Sequence, residues 1–311
     1  MSHLIDRQSS GVYIIAATPF AEDGALDLPS IDSLVEFYIG HGVSGITVLG
    51  MMGEAPKLSD IESLDVMRHF LRRVDGRVPV VVGVSGAGLG NLATLSKAAM
   101  DQGAAGVMVA PGPAQRTERQ IAGYFGQVCA ALGPDVPVCY QDYPLTTGAP
   151  ISAEAFVDLA AAHPQIVMLK HEEWPGLTKL SRVRDLAATA LPEGLSILVG
   201  NGGLYLPQEL ARGADGAMTG FAYPEMLVKV VDLRRRGQVD AAEDLFDAYL
   251  PVVRHEQQPG FGLALRKETL RRRGAIRCAA TRAPGPTLDR RDHAELDRLL
   301  ARLDARLKEM T

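Results

Sequence analysis

The sequence predicts a single (β/α)8 TIM barrel of the α/β class, followed by a C-terminal helical appendage. Three observations carry this reading. Short apolar, β-branched runs alternate with longer amphipathic ones, the pattern of βα units around a parallel sheet. Eight such runs follow one another, at residues 13–17, 45–49, 79–84, 106–110, 137–142, 166–172, 195–201 and 216–220. A short joint also recurs before the second, fourth and eighth runs, as Gly42-Val43-Ser44-Gly45, Gly103-Ala104-Ala105-Gly106 and Gly213-Ala214-Asp215-Gly216. Its first glycine suits the left-handed turn that ends a helix, and its second opens the next strand. A doubly wound open sheet is the alternative, but eight regularly spaced strands favour closure. No Gly-x-Gly-x-x-Gly follows the first strand, so a dinucleotide site has no support there.

The intervening helices carry their own signals. Ile31, Leu34, Val35, Tyr38 and Ile39 fall on one helical face after the first strand. Ser59 with Glu62, and Thr117 with Gln120, form capping boxes in which each side chain satisfies the other's free backbone N–H. Ile121, Tyr124, Phe125, Val128 and Cys129 line the face of the helix that the second box opens. After about residue 224 the strand signals stop. Residues 225–236, 239–255, 261–273 and 293–308 read as helices, with a proline- and glycine-containing loop at 282–287 between the last two. The chain thus divides into a barrel, 1–224, and a C-terminal helical domain, 225–311.

The composition is that of an ordinary globular protein, with 47% hydrophobic and 22% charged residues in 311. A formal charge of −5 offers no footprint for nucleic acid. The runs Arg234-Arg235-Arg236 and Arg271-Arg272-Arg273 read as helix C-terminal charges favoured by the macrodipole. Three cysteines, Cys129, Cys139 and Cys278, without close spacing argue against disulfides or a zinc site, and a reducing cytoplasm is expected. The opening residues lack the apolar stretch of a signal peptide, and no apolar run approaches the roughly 20 residues that span a membrane.

In a barrel the chemistry sits at the C-terminal ends of the strands. The sixth run, Ile166-Val167-Met168-Leu169-Lys170-His171-Glu172, places a lysine after four apolar residues. Burial disfavours the charged form of an amine, and a neutral amine attacks a ketone to give an imine that acts as an electron sink. Period-two alternation sets Glu172 on the face of Lys170 and His171 on the other. The second run leads into Gly50-Met51-Met52-Gly53-Glu54, where glycines let backbone N–H groups converge on an anion. The fifth continues as Tyr140-Gln141-Asp142-Tyr143-Pro144, with Tyr140 and Asp142 on one face and Gln141 and Tyr143 on the other. The seventh supplies Gly200-Asn201-Gly202-Gly203, and the seven histidines show no metal-ligand spacing.

Together these positions resemble the dihydrodipicolinate synthase / N-acetylneuraminate lyase family of class I aldolases. The markers are Thr18-Pro19-Phe20, the Gly50 to Glu54 loop, Pro111, the segment from Tyr140 to Gly148, Lys170 and Gly200. The resemblance implies an imine-forming Lys170, a 2-oxo acid such as pyruvate as its partner, and a homo-oligomer, commonly a tetramer or otherwise a dimer. Several positions depart from the family pattern. Met51 and Met52 stand where the loop usually carries hydroxyl side chains, and Gln141 stands where the catalytic tyrosine belongs. Tyr140 comes one residue early. Gly112-Pro113 replaces tyrosines after Pro111, and Thr146 replaces a carboxylate-binding arginine.

The expected function is therefore a Schiff-base-forming lyase, an aldolase or dehydratase, distinct from the lysine-biosynthetic synthase. Lys170, Gln141 and Glu172 are the catalytic candidates, with Glu172 as the substitute acid/base. Asp142 or Tyr143 assists if the loop turns it inward. Gly50, Met51, Met52, Gly200 and Met218 are the substrate-binding candidates. No cofactor and no metal are expected. A catalytically silent relative that binds an oxo acid or serves as a scaffold is the second reading.

Overall fold

The structure is a computed structural model and describes residues 4–86 and 88–310. The first three residues of the opening stretch lie outside that range. Eight parallel strands close into a barrel in sequence order, the last pairing with the first. They are β1 Gly11–Ile15, β2 Gly45–Val48, β3 Val80–Gly83, β4 Gly106–Val109, β5 Val138–Asp142, β6 Ile166–His171, β7 Ser196–Val199 and β8 Gly216–Ala217. Seven predicted runs contain their strand, and the first, 13–17, overlaps β1, which begins two residues earlier. The eighth is shorter than the pattern indicates, although Met218 N still donates to Val199 O at 2.8 Å and Ile15 N to Thr219 O at 3.0 Å.

Alternation sorts the strand side chains into two cores. Tyr13, Ile15, Val81, Met108, Cys139, Met168, Leu198 and Met218 fill the barrel interior. Val12, Ile14, Ile46, Val82, Tyr140, Leu169 and Ile197 face the surrounding helices. The recurring joint behaves as the sequence predicts. Gly42, Gly103 and Gly213 have φ between 79° and 94°, in the left-handed region, and Gly45, Gly106 and Gly216 begin β2, β4 and β8.

The helices are α1 Leu28–Gly40, α2 Asp60–Val74, α3 Leu89–Asp101, α4 Glu118–Leu132, the short α5 Pro144–Thr147, α6 Ala153–Ala162, α7 Leu177–Ala190, α8 Leu206–Ala211 and α9 Pro224–Arg235. Both predicted capping boxes form, at Ser59 and Thr117. Helix α9 packs against β1, and the expected boundary at 224 falls at its first residue. The appended helices are α10 Val239–Glu256, α11 Gly262–Arg272 and α12 Arg290–Glu309. The two arginine runs do end helices, and several of their members have specific partners, Arg236 pairing with Asp232 and Arg271 with Glu268. Arg272 binds Glu268, and Arg273 binds Glu225 while lying over the rings of Phe37 and Tyr223. Among the described residues, no helix is long and apolar enough to cross a membrane.

Candidate active site

Neighbouring strands β5 and β6 bring the catalytic candidates together. Gln141 is the register partner of Lys170, so both side chains enter the barrel mouth from adjacent strands. Glu172, just past the end of β6, turns back on the same face. Its Oε2 lies 3.0 Å from Lys170 Nζ and accepts a 2.7 Å hydrogen bond from Gln141 Nε2. All three side chains are buried. The chain beyond β6 is held by Asn201 Nδ2, which donates to Glu172 O at 3.1 Å. Gly200 makes room for the carboxylate, since a Cβ there would stand 2.3 Å from Glu172 Cγ.

The opposite face of these strands is structural. Tyr140 is fully buried between Phe125 and Phe156, with ring centroids 4.6 and 5.2 Å away. Its hydroxyl has no hydrogen-bond partner, and burial holds its pKa well above the usual value. The β5–β6 register does shift, but between Val138 and Cys139, before Tyr140, and the tyrosine still faces the helices. Asp142 also points outward and accepts from Lys179 Nζ at 2.6 Å. The inward role entertained for Asp142 is therefore corrected, because alternation binds it to the face of Tyr140. His171 likewise faces out, with Nε2 3.0 Å from Gly176 O.

Lys170 and Glu172 form part of the floor of an open cleft of about 670 Å³. Met51 and Met52 line it from the β2 loop, Tyr143 and Leu145 from the end of β5, and Thr219 and Gly220 from the end of β8. Residues 256–260, from the end of α10 and the turn after it, and Gly262, Leu263 and Arg266 of α11 add to the wall. Gly50 and Gln141 instead border a second cavity of about 460 Å³ beside β3, which also touches Met51. Met218 lies apart from both. It is fully buried in the barrel interior, 3.8 Å from Cys139 Sγ, so a substrate contact there is corrected to a packing role beneath the site.

Glu54, the last residue of the glycine loop, proves to be a hub. It adopts a left-handed conformation with φ 52°, and it accepts from Lys267 Nζ at 2.6 Å, Lys57 Nζ at 2.8 Å and Arg282 N at 3.0 Å. Thr18 Oγ1 donates to Gly53 O at 2.7 Å, so the first-strand motif braces the same loop. The loop that borders the cleft is thus fixed to the C-terminal helices. Sequence reasoning assigned those helices no part in the site. The available signal was the run Arg266-Lys267-Glu268 in the middle of α11, all three buried.

This arrangement can carry amine chemistry. A proton passed from Nζ to Oε2 leaves a neutral amine beside a neutral acid. That pair can add to a ketone and then protonate the departing hydroxyl. Gln141 has no titrating group, and its amide N–H donates to the Glu172 carboxylate.

The chain as a whole is similar to known proteins. Residues 8–303 match the model of the dihydrodipicolinate synthetase family. The chain is 32% identical over 298 residues to an L-2-keto-3-deoxyarabonate dehydratase from Azospirillum brasilense, covering 94% of each chain. It is 46% identical to the crystal structure of a dihydrodipicolinate synthase from Rhodopseudomonas palustris, with a TM-score of 0.94 over 97% of this chain and 100% of that one. A prophage protein of the same family from E. coli K12, solved in complex with pyruvate, is 27% identical, with a TM-score of 0.86 over 95% and 98% of the two chains.

Proposed function

The chain belongs to the dihydrodipicolinate synthetase family, whose members are class I lyases and dehydratases working through a Schiff base, and we propose that Lys170 forms that base with a 2-oxo acid. The observation that carries the proposal is the Lys170–Glu172–Gln141 cluster, where a buried amine lies 3.0 Å from a carboxylate on the floor of a cleft.

Attack of Nζ on the substrate's C2 carbonyl gives a carbinolamine, and loss of water gives the imine. Glu172 takes the proton from Nζ, delivers it to the departing hydroxyl, and then removes a proton from C3 to give the enamine. Departure of a C4 hydroxyl from that enamine as water, with the proton that Glu172 took from C3, is dehydration. Cleavage between C3 and C4, after the C4 hydroxyl loses its proton, is the aldol route. We propose dehydration or aldol cleavage of a 2-oxo-3-deoxy acid, supported by the full-length similarity to a dehydratase of such a substrate. Tyr140 sits outside the cleft, so a phenol at this strand position has no part in the proton relay.

We further propose a homo-oligomer, a tetramer or a dimer. Exposed Met51, Leu145, Trp174 and Tyr205 around the mouth support association, which light scattering in solution tests. The unpaired Cys129, Cys139 and Cys278 support a cytoplasmic location.

Borohydride reduction in the presence of pyruvate, followed by peptide mass mapping, tests the central reading. One reduced adduct on Lys170 is expected. Measurable pyruvate binding without any adduct would establish the silent relative instead. A panel of 2-oxo-3-deoxy sugar acids, run beside pyruvate with aspartate semialdehyde, then separates dehydration, cleavage and condensation by product.

A further inference from the structure

We infer that Asp142 and Lys179, packed outside the β5–β6 edge, are positioning residues that hold the Glu172 carboxylate in place against Lys170. The inference rests on Glu172 as the acid/base of the reaction, and it names what keeps that group fixed.

Glu172 lies one residue past β6, at the head of the five-residue link 172–176 that leads into α7. A carboxylate carried on a link transfers protons well only if the link is held, since a displacement of about 1 Å can cost about 10²-fold in rate. The main chain of Glu172 is fastened on both sides. Its N–H donates to Asp142 O at 2.9 Å, and its carbonyl accepts from Asn201 Nδ2 at 3.1 Å.

The residues before and after Glu172 are tied on the outer face. Lys179, in the first turn of α7, donates from Nζ to Asp142 Oδ2 at 2.6 Å and also to Glu173 Oε2. His171 Nε2 donates to Gly176 O at 3.0 Å, and it carries the ring hydrogen because a carbonyl only accepts. The other ring nitrogen, Nδ1, lies 3.6 Å from Asp142 Oδ2. Gly176 gives the ring its room, since a Cβ there would stand 2.6 Å from Nε2. One ammonium thus joins the end of β5, the link behind Glu172 and the helix that follows.

A plain tie between β5 and α7 is the alternative. A buried ion pair is a poor means to that end, because well-packed apolar residues of similar volume are often at least as stabilising. The side chains of Asp142 and Lys179 are only 1% and 10% exposed. Nor does a tie between two elements call for a second carboxylate, and Glu173, next to Glu172, supplies one. What hydrogen bonds add to apolar packing is a defined place for each acceptor. Asp142 Oδ1 and His171 Nδ1 have no hydrogen-bond partner among the described residues, a cost that a cluster serving stability alone would not carry.

The test separates imine formation from proton removal, with pyruvate as the probe for both. Borohydride trapping reads the imine at Lys170. Loss of the pyruvate methyl proton signal in D2O reads Glu172, which takes a C3 proton to give the enamine and returns a deuteron acquired from solvent. Asp142→Asn combined with Lys179→Met removes both charges, so neither stays buried alone. Exchange should slow about 10- to 100-fold in this double variant, while the pyruvate concentration for half-maximal trapping stays within about twofold. In a Glu172→Gln background the same pair of substitutions should change the residual exchange by less than about twofold, because the group they position is gone. Glu173→Gln cuts the outermost tie alone and should show the same split with a smaller fall, whatever the folding of the double variant. Unchanged exchange in both variants, equal slowing in both backgrounds, or a parallel loss of trapping would overturn the positioning role and leave Glu172's own role standing. Exchange undiminished by Glu172→Gln alone would remove the acid/base reading and this inference with it.

Discussion

The protein buries two lysine–carboxylate pairs, and they have opposite surroundings. Lys267 is wholly enclosed. It donates to Glu54 at 2.6 Å and to Ala280 O at 2.9 Å, and it lies 4.5 Å above the Phe20 ring. Burial lowers its pKa, with Glu54 acting in the other direction. Lys170 meets the Glu172 carboxylate at 3.0 Å and opens onto the cleft. Desolvation alone would nominate Lys267 as the nucleophile. What separates the two is access: an electrophile can reach Lys170, while every approach to Lys267 is taken by a carboxylate, a carbonyl or a ring. A reactive amine needs burial together with a vacant side.

Exchanging the two lysines' fates is the sharpest way to break that contrast. Lys170→Ala should lower turnover by about 10³-fold or more and abolish the borohydride adduct while urea unfolding stays close to wild type. An adduct surviving on another lysine would dissolve the distinction. Glu172→Gln, which keeps the shape and removes the proton carrier, should cost about 10²- to 10⁴-fold in turnover. It leaves the adduct detectable at long incubation, and unaltered single-turnover rates would displace Glu172 as acid/base.

Lys267→Met should do the reverse. Leaving Glu54 buried with only the partly exposed Lys57 as counter-charge costs stability, up to about 3–5 kcal/mol in urea titration, while the folded fraction still traps pyruvate. Loss of trapping in fully folded protein would show that the sealed pair also shapes the chemistry.

Another buried carboxyl, Glu209, has no ion pair. Burial, reinforced by the charge of Glu172, raises the pKa of Glu209 to about 8, and its Oε2 has no hydrogen-bond partner. Between pH 4.5, the ordinary value, and about 8 the folded chain holds a proton that the unfolded chain has released. Stability from this group is therefore fully present below the ordinary value and is lost as pH rises toward 8. Glu209→Gln should be more stable than wild type at pH 8–9, by a few kcal/mol at most, and the gain should vanish near pH 4.5. A gain that is constant across pH would sink this account.

The smallest effect belongs to Tyr140→Phe. Deleting a buried, unpartnered hydroxyl should leave trapping unchanged and stability equal or higher by about 1 kcal/mol. A drop in turnover would return the phenol to the reaction.

Much of this was legible from residue order. Apolar runs, glycine joints and capping boxes placed the eight strands and the helices around them, because those signals are local. Alternation on β5 and β6 put Gln141, Lys170 and Glu172 on one face and Tyr140, Asp142 and His171 on the other, as the register bears out. Met218 escaped this reading because two inward residues on one barrel strand occupy different depths, and alternation gives the face without the depth. Arg266 and Lys267 escaped it for a second reason. Their partners, Met52 and Glu54, lie more than two hundred residues away, and a charged run within a helix ordinarily faces water.

The three ties that Lys57, Lys267 and Arg282 make to Glu54 also bear on how such proteins can be recombined. The terminal helices are not a detachable cassette. A chimera that joins this barrel to a relative's tail inherits a buried carboxylate in one parent and its counter-charge in the other. Crossovers between residues 57 and 267 should yield folded hybrids only when both parents carry matching partners, whatever their overall identity.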